Sequence, residues 1–271
     1  MGGRGDVGME PELLRAGLTL VVGLVAGLLS GAFGVGGAIV STPGIRLLGV
    51  GPLVAVATTL PAIVPSALSG GLRYQAEGLV DWRAVALALP GGLAASVGGA
   101  LLAGTVPGDG HLLQIATALL LALSAWRIGT DRRVGAADLD GGAPRPSPAA
   151  RFALVGLGAG GLSGLLGLGG GLVMVPGFNQ VAGLSLRSSV ATSLVCAGAF
   201  AVPGSITHGL LGNIDWPVAA LLALSVVPGA RLGAAASLRL RERRLALAVA
   251  GLLGSISVVY AGGEVLALAG G

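Results

Sequence analysis

The chain has 271 residues, of which 54% are hydrophobic and only 10% are charged, and its formal net charge is +4. Soluble domains carry about 25% charged residues, so this composition excludes a water-exposed globular protein and predicts a polytopic protein of the lipid bilayer. The single cysteine, Cys196, excludes an intrachain disulfide and supports no cysteine-based metal site. The basic residues cluster in short loops between apolar runs, which is a topology signal and does not indicate nucleic-acid binding.

The first 15 residues form an N-terminal tail that mixes Arg4 with Asp6, Glu10 and Glu12. The apolar run that follows has no obvious cleavage site, so we interpret it as a first span and not as a signal peptide. Five apolar segments then precede a polar stretch and five follow it. The segments are 16–34, 36–50, 53–72, 83–105 and 112–129, then 152–170, 172–184, 189–211, 216–238 and 245–262.

Two of these segments, 36–50 and 172–184, are too short to span a bilayer as helices. A bilayer core of about 30 Å needs ~20 helical residues, and both segments carry a Pro-Gly pair, at Pro43 and Pro176. We predict that they are broken or re-entrant pieces. Such backbone is stable at membrane depth only where it is buried in protein or lines a wet cavity.

The polar, Pro- and Gly-rich stretch 130–150 is predicted to be a linker between two membrane regions, 16–129 and 151–271. A glycine pattern supports that division, because Gly23–Gly44 and Gly156–Gly177 match without a gap at a shift of 133 residues. Repetition of this kind indicates two homologous halves. The predicted fold is therefore an all-α polytopic membrane protein of two repeats, each with four or five transmembrane helices.

The arginines predict how the halves are oriented. Arg127, Arg132, Arg133, Arg145 and Arg151 flank the linker, and a second cluster occupies 239–244, so both loops should be cytoplasmic. This holds if the short segments count as crossings, giving ten segments, inverted repeats and both termini outside. In the alternative, the short segments are re-entrant, there are eight spans, and the repeats are parallel.

The repeated block divides into a packing surface and a break. Gly23, Gly27 and Gly31, and likewise Gly156, Gly160 and Gly164, form small-residue faces that allow close helix packing in lipid. The following Gly-rich runs, 34–37 and 167–171, are poor helix interior and predict breaks that expose backbone N–H groups at the start of a short helix. Discontinuous helices from two repeats commonly form transporter binding sites, and their N-termini suit anions. A simple kink is the structural alternative.

Further duplicated motifs lie at a shift of 134 residues. Val-Ala-Thr-Thr at 56–59 matches Val-Ala-Thr-Ser at 190–193, and these hydroxyls could either bind a ligand oxyanion or bond to their own helix. The Gly-x-x-Asp-Trp motifs that end at Trp82 and Trp216 are interpreted as helix caps with interfacial anchors.

Two polar residues stand alone in apolar segments. His208, whose first-half counterpart is Tyr74, could relay a proton or lie at headgroup level, and Arg231 could snorkel or counter an anion. No Asp or Glu occupies the middle of a span, which favours an anionic cargo over carboxylate-based cation pumping. An anion channel, or an intramembrane serine protease that uses Ser163 of Gly-Leu-Ser-Gly with His208, is the alternative function.

The sequence resembles the TauE/SafE family of sulfite and organosulfonate exporters over roughly 16–262. The resemblance rests on the duplicated Gly-x-x-Ser-Gly-x-x-Gly-x-Gly-Gly blocks, the Pro-Gly pairs that follow them, Ala191-Thr192-Ser193, and the ending His208…Gly212-x-x-Asp215-Trp216. It implies a cell inner-membrane transporter of two homologous halves that moves small sulfur-containing anions. Tyr74 and Ala38 replace the His208 and Gly171 of the second half, so the halves are not equivalent.

We therefore predict a secondary transporter, not an enzyme, that exports a small inorganic or organic sulfur oxyanion and needs no cofactor or metal. A proton or sodium ion could be coupled, and no P-loop for ATP is present. The substrate should bind where the breaks meet, with access alternating as one half rocks against the other. The predicted binding residues are Ser30, Gly34, Gly36, Gly37, Thr58, Thr59, Ser163, Gly167, Gly169, Gly170, Gly171, Thr192, Ser193, His208 and Arg231.

Overall fold

A computed structural model describes residues 9–102, 111–130, 148–166 and 170–269. The part described is all-helical and contains no strand, which confirms the predicted fold class. Each of the ten predicted apolar segments overlaps one α-helix. The helices are α1 (Met9–Phe33), α2 (Ala38–Leu47), α3 (Pro52–Ala76), α4 (Trp82–Leu102), α5 (His111–Thr130), α6 (Ala149–Leu166), α7 (Gly171–Pro176), α8 (Leu186–Leu210), α9 (Trp216–Arg239) and α10 (Glu242–Ala269).

Four helices in the described residues are long and apolar enough to cross a membrane, namely Glu12–Phe33, Val54–Ala76, Leu186–Leu210 and Trp216–Arg239. Most of the predicted linker, 131–147, lies outside the described residues, as do Gly167 and Gly169.

The glycine faces of α1 and α6 each pack against a helix of the other half. Along α1, added Cβ atoms on Gly27 and Gly31 would both lie 2.8 Å from a backbone Cα atom of α9, that of Val226 and that of Ala230 respectively. Along α6, an added Cβ on Gly160 would lie 2.7 Å from the Cα of Gly92 in α4. Only glycine permits such backbone approach. Both pairs run parallel, since residue numbers rise together along the two contacts.

The helices that occupy equivalent sequence positions in the two halves pack antiparallel. In the contact between α3 and α8, Leu60 approaches Gly204 and Ala67 approaches Gly198, so the numbers fall along one helix as they rise along the other. The contact between α5 and α10 shows the same direction, because Gly129 approaches Ala250 and Ala125 approaches Gly254. The bundle therefore interleaves its halves instead of placing them side by side.

The two short helices fold back along the helix that precedes each of them. An added Cβ on Gly37 would lie 3.3 Å from the carbonyl O of Ala26, and one on Gly170 would lie 3.4 Å from that of Ala159. Both positions and both partners are related by the 133-residue shift. The α2 backbone is continuous through Pro43, so the break lies before this helix and not at its proline.

The second short helix does change at its Pro-Gly pair. The α-helix α7 ends at Pro176, and the chain continues as a π-helical turn, Gly177–Val181. A π turn accommodates a backbone whose regular i to i−4 bonding is interrupted, as proline does by removing an N–H donor. The two short segments therefore differ in detail, although both reverse the chain.

We expect Gly160→Ala to lower the stability of the protein, because the new methyl group would push α6 away from α4. Overpacking of this kind costs about 1–3 kcal/mol. Gly158→Ala is the matched control, because nothing lies within 4 Å of a Cβ at Gly158, and alanine favours the helix. Unfolding in mixed micelles measures both variants. Equal stability of the two would contradict the packing interpretation.

Candidate functional site

The break between α1 and α2 is buried and is formed by three glycines. Gly34 and Gly36 both have φ of +70°, a left-handed conformation that glycine adopts without steric cost. The Gly34 N–H still donates to the carbonyl O of Ser30 at 2.8 Å, so helical bonding stops directly after it. Gly37 then caps α2 without a side-chain hydrogen bond. The first N–H groups of such a helix have no intrahelical acceptors.

The tyrosine of α3 caps the end of α1. Its hydroxyl, at Tyr74, donates to the carbonyl O of Gly31 at 2.7 Å, and the side chain is fully buried. In a continuous helix this carbonyl would accept from the N–H four residues later, which the break prevents. Tyr74 thus satisfies a carbonyl that the break would otherwise leave unpaired in the interior. The sequence showed Tyr74 only as the counterpart of His208; its signal was a lone phenol in an apolar span.

The second break lies at the start of α7 and is described from Gly170 onward. Gly170 is left-handed, with φ of +62°. The predicted site residues Gly167 and Gly169 lie outside the described residues, and so does the side chain of Ser163. Gly170 precedes its short helix as Gly37 does, but their backbones differ, because Gly37 is right-handed with φ of −59°.

The two breaks touch each other. An added Cβ on Gly171, the first residue of α7, would lie 2.6 Å from the carbonyl C and O atoms of Val35, which lies within the first break. Val35 and Gly171 are both buried. Two chain segments 136 positions apart in sequence therefore meet through backbone, which leaves no room for any side chain at residue 171.

Buried hydroxyl groups lie beside the first break. Ser193 on α8 donates to the carbonyl O of Gly34 at 3.0 Å, and Ser66 on α3 donates to the hydroxyl of Ser30 at 3.2 Å. Ser66 is absent from the residues predicted from sequence because it has no partner in the repeat. The hydroxyl-bearing residues with at most 2% exposure near the first break are Ser30, Ser41, Thr59, Ser66, Tyr74 and Ser193.

Several of these hydroxyls already bond to backbone. Thr59 donates to the carbonyl O of Val56 at 2.9 Å and lies 3.1 Å from the hydroxyl of Thr42. Ser193 likewise reaches the carbonyl O of Val190 at 3.0 Å, the position equivalent to Val56. Back-bonding of this kind was one of the two roles considered from sequence. To donate a hydrogen bond to an anion, such a hydroxyl must first give up its hydrogen bond to a backbone carbonyl.

Thr58 and Thr192 form a reciprocal pair of contacts between the halves. The backbone N–H of Asp215 donates to Thr58 Oγ1 at 3.0 Å, and the backbone N–H of Asp81 donates to Thr192 Oγ1 at 3.1 Å. The carboxylates of the two aspartates cap α9 and α4, accepting from the N–H groups of Val218 and Ala84 at 3.2 and 2.9 Å. The predicted capping role of both aspartates is confirmed, and both threonines use Oγ1 to hold a capped helix start.

We expect Thr58→Val to destabilise the protein by about 1–3 kcal/mol, the usual cost of a part-buried N–H that loses its acceptor. Thr58→Ser keeps the hydroxyl and should restore most of the stability. Unfolding in mixed micelles and anion flux should be measured on both variants. Thr58→Val that keeps its stability and loses flux would contradict this structural role and favour the direct substrate contact predicted from sequence.

Besides Thr58 and Thr192, two further predicted site residues have no contact with the break. His208 is half-buried near the C-terminal end of α8, where its Nδ1 lies 3.4 Å from the amide nitrogen of Asn213. Arg231 is exposed on α9. No group of three or more His, Cys, Asp or Glu side chains that could hold a metal occurs among the residues described.

The first break is buried in the bundle. Gly34, Val35, Gly36 and Gly37 are all buried, and the hydrogen bonds from Tyr74 and Ser193 fasten neighbouring helices across the break. Any ligand that reaches it must displace at least one of these contacts. The arrangement can therefore offer backbone donors and hydroxyls to a small polar ligand, provided that helices move.

Comparison with known proteins identifies relatives of the whole chain. The family model of the sulfite exporter TauE/SafE matches residues 19–260. "Probable membrane transporter protein YunE" of Bacillus subtilis is 28% identical over 85% of this chain and 91% of its own length. "Probable membrane transporter protein YdhB" of the same organism is 30% identical over 80% of this chain and 88% of its own length. "Probable membrane transporter protein MJ0441" of Methanocaldococcus jannaschii is 24% identical over 89% of this chain and 94% of its own length.

No solved structure matches the chain significantly. The family match covers almost all of the residues that form the bundle. The relatives are named as probable membrane transporters, and this chain aligns with nearly their full length. Together with the apolar helices, this confirms a multi-pass membrane transporter. The chain belongs to the sulfite exporter TauE/SafE family.

Proposed function

We propose that this transporter exports a small sulfur-containing oxyanion, such as sulfite or an organosulfonate, by a secondary mechanism without catalysis. The observation that supports this most is the contact between the two breaks, where Gly171 meets the backbone of Val35 inside a buried shell of hydroxyls. Small oxyanions bind well to backbone N–H groups and hydroxyls, whereas cations need carboxylates or carbonyls. The family description names sulfite as the cargo of such exporters.

The bound state would be held by backbone N–H groups of the breaks with Ser30 and Ser193, whose hydroxyls already lie there. An oxyanion accepts hydrogen bonds, so it would replace the carbonyl of Gly34 as the acceptor of the Ser193 hydroxyl. Breaking that bond releases α8 from the break. Binding and helix movement would thus be coupled through one hydrogen bond, as alternating access requires.

Sulfite flux into proteoliposomes that contain the purified protein tests the proposal. We expect saturable sulfite uptake above that of empty liposomes, competition by an organosulfonate, and much slower chloride movement. Absence of sulfite flux from folded protein would overturn the cargo. Non-saturating flux that follows the membrane potential for every small anion would instead indicate the channel. Cleavage of a membrane substrate that Ser163→Ala abolishes would indicate the protease.

We also infer that the two halves are inserted in opposite orientations. Support comes from the antiparallel packing of equivalent helices, α3 with α8 and α5 with α10. Further support comes from Arg73, Arg187 and Arg239, which line one cavity although they lie at the end of α3, the start of α8 and the end of α9. We call this side of the bundle the arginine end, and it would be cytoplasmic.

We expect Arg241→Cys to react with a membrane-impermeant thiol reagent only when the arginine end is accessible. The native Cys196 is fully buried and gives a low background. Labelling should occur in inside-out vesicles and be absent in intact cells. Labelling in intact cells would place this loop outside and overturn the inverted arrangement.

A further inference from the structure

We propose that a cavity at the arginine end binds a small oxyanion and forms the cytoplasmic mouth of the transport pathway. This inference rests on the proposed function. The cavity has a volume of about 450 Å³. Its lining includes three arginines, Arg73, Arg187 and Arg239, and one acidic residue, Glu77. A basic concave surface concentrates anions from solution.

Among the described lining residues, only one of the three guanidinium groups has a carboxylate partner. Arg73 pairs with Glu77 at 3.1 Å on the exposed surface of α3. Among the described residues that line the cavity, this is the only carboxylate, so the charges of Arg187 and Arg239 have no acidic partner in its wall. An anion of charge −2 would balance them. A phosphate headgroup of a lipid shares this chemistry, so the experiment must separate the two sources.

The guanidinium group of Arg187 makes one hydrogen bond to backbone and leaves a buried N–H donor without an acceptor among the described residues. Its Nη2 donates to the carbonyl O of Leu240 at 2.6 Å, which closes the C-terminal turn of α9. Its Nε is buried and has no hydrogen-bond partner among the described residues. The buried hydroxyl of Ser237 also lacks a partner in hydrogen-bonding geometry, although it neighbours the Tyr74 hydroxyl. A buried donor without an acceptor is unfavourable, and an oxyanion at this wall would supply one.

The cavity and the first break are connected through α3 and α8. Tyr74, which follows the cavity residue Arg73, donates to Gly31 at the end of α1. Arg187 precedes Ser193 by six positions on α8, about 9 Å along the helix, and Ser193 bonds to Gly34. Two separate helices therefore carry contacts from the cavity wall to the break. An anion held by Arg187 would therefore bind roughly 9 Å along α8 from Ser193.

The repeat does not reproduce this cavity at the opposite end. With the 134-residue shift, Thr207 takes the place of Arg73, Leu53 that of Arg187, and Leu211 that of Glu77. The sequence repeat therefore places these charged residues at the arginine end and not at the equivalent positions of the other half. The anion should therefore bind more tightly from the arginine end, while its gradient and that of any coupled ion determine the direction of net transport.

Calorimetric titration of the purified full-length protein with sulfite, in anaerobic buffer, tests the cavity. The protein is placed in nanodiscs of phosphatidylcholine alone, so that no anionic headgroup competes. We expect Arg239→Gln and Arg73→Gln each to weaken sulfite binding about tenfold, as the loss of one charge-assisted contact does. Arg187→Gln should weaken it more, but that variant also loses the contact to Leu240. Arg239 is exposed, so its variant should fold.

Arg46→Gln is the matched control, since Arg46 is an exposed arginine of α2 that does not line the cavity, and its sulfite affinity should equal that of the unmodified protein. Equal sulfite affinity in Arg239→Gln, Arg73→Gln and the control would overturn the inference. A second titration in nanodiscs with phosphatidylglycerol identifies a lipid site. Headgroup binding that the variants lose, with sulfite binding unaffected, would also overturn it.

The flux assay distinguishes this failure from that of the proposed function. Sulfite flux that is unchanged by Arg239→Gln leaves the proposed cargo intact and removes only the cavity. Absence of sulfite flux from the unmodified protein removes the cargo itself. If both proposals hold, Arg239→Gln should raise the sulfite concentration for half-maximal flux about tenfold from the arginine end, and leave the value from the opposite end unchanged.

Discussion

Replacing Gly171 by alanine should lower sulfite flux by at least about tenfold, an effect that 1.4 kcal/mol on the transport barrier would produce. The new Cβ would lie 2.6 Å from the carbonyl C and O atoms of Val35 and 3.0 Å from its Cα. These are backbone atoms, so no side-chain rotation relieves the contact. The methyl group therefore forces the two breaks apart, in the place where we propose that the anion binds.

Gly158→Ala is the control for this experiment, because its methyl group meets no atom within 4 Å. Both proteins should be reconstituted at equal density, and the initial rate of sulfite uptake should be compared with thermal stability. Loss of flux with preserved folding indicates that the contact belongs to the transport cycle. Gly171→Ala that folds and transports at the unmodified rate would remove the meeting of the breaks from the mechanism.

The helices and their limits were predictable because apolar length and the glycine repeat are local properties of the sequence. The 133-residue shift marked Gly37 and Gly170 as equivalent, and both pack on equivalent carbonyls, those of Ala26 and Ala159. The sequence also marked 34–37 as a break, where two left-handed glycines do interrupt the chain. The sequence also predicted a break at Pro43, but α2 continues through this residue. The proline removes only one N–H donor from the helix, and α2 tolerates that loss.

The contacts between halves were not predictable from one sequence, because hydropathy does not specify which apolar faces meet. Nothing in the glycine face of α1 indicates that its partner is Val226 of α9 instead of a helix of its own half. The same limit applies to Thr58, whose motif suggested a ligand but whose Oγ1 accepts from Asp215 across the bundle. Arg239 belongs to a cluster that the sequence marks only as a topology signal, and the fold brings it into one cavity with Arg187.

We expect Gly34→Ala to be the most destabilising single methyl addition at the first break. Gly34 has φ of +70°, which costs an alanine about 1–2 kcal/mol. The added Cβ would also lie 2.9 Å from the Cα of Val190 and 2.5 Å from the hydroxyl oxygen of Ser193. Overpacking adds roughly 1–3 kcal/mol. Steric pressure on Ser193 would weaken its hydrogen bond to the carbonyl of Gly34 as well.

Two other glycines separate the contributions of φ and packing. Gly49 has φ of +89° with nothing within 4 Å of an added Cβ, so Gly49→Ala measures the conformational cost alone. Gly36 has φ of +70° and an ordinary contact of 3.6 Å to Ala197, so its alanine variant should resemble that of Gly49 in stability. Unfolding of all three variants in mixed micelles should therefore show Gly34→Ala to be much less stable than the other two, which should have similar stabilities. Equal destabilisation of all three variants would mean that the positive φ accounts for the whole cost at Gly34. It would contradict the close contact between Gly34 and α8.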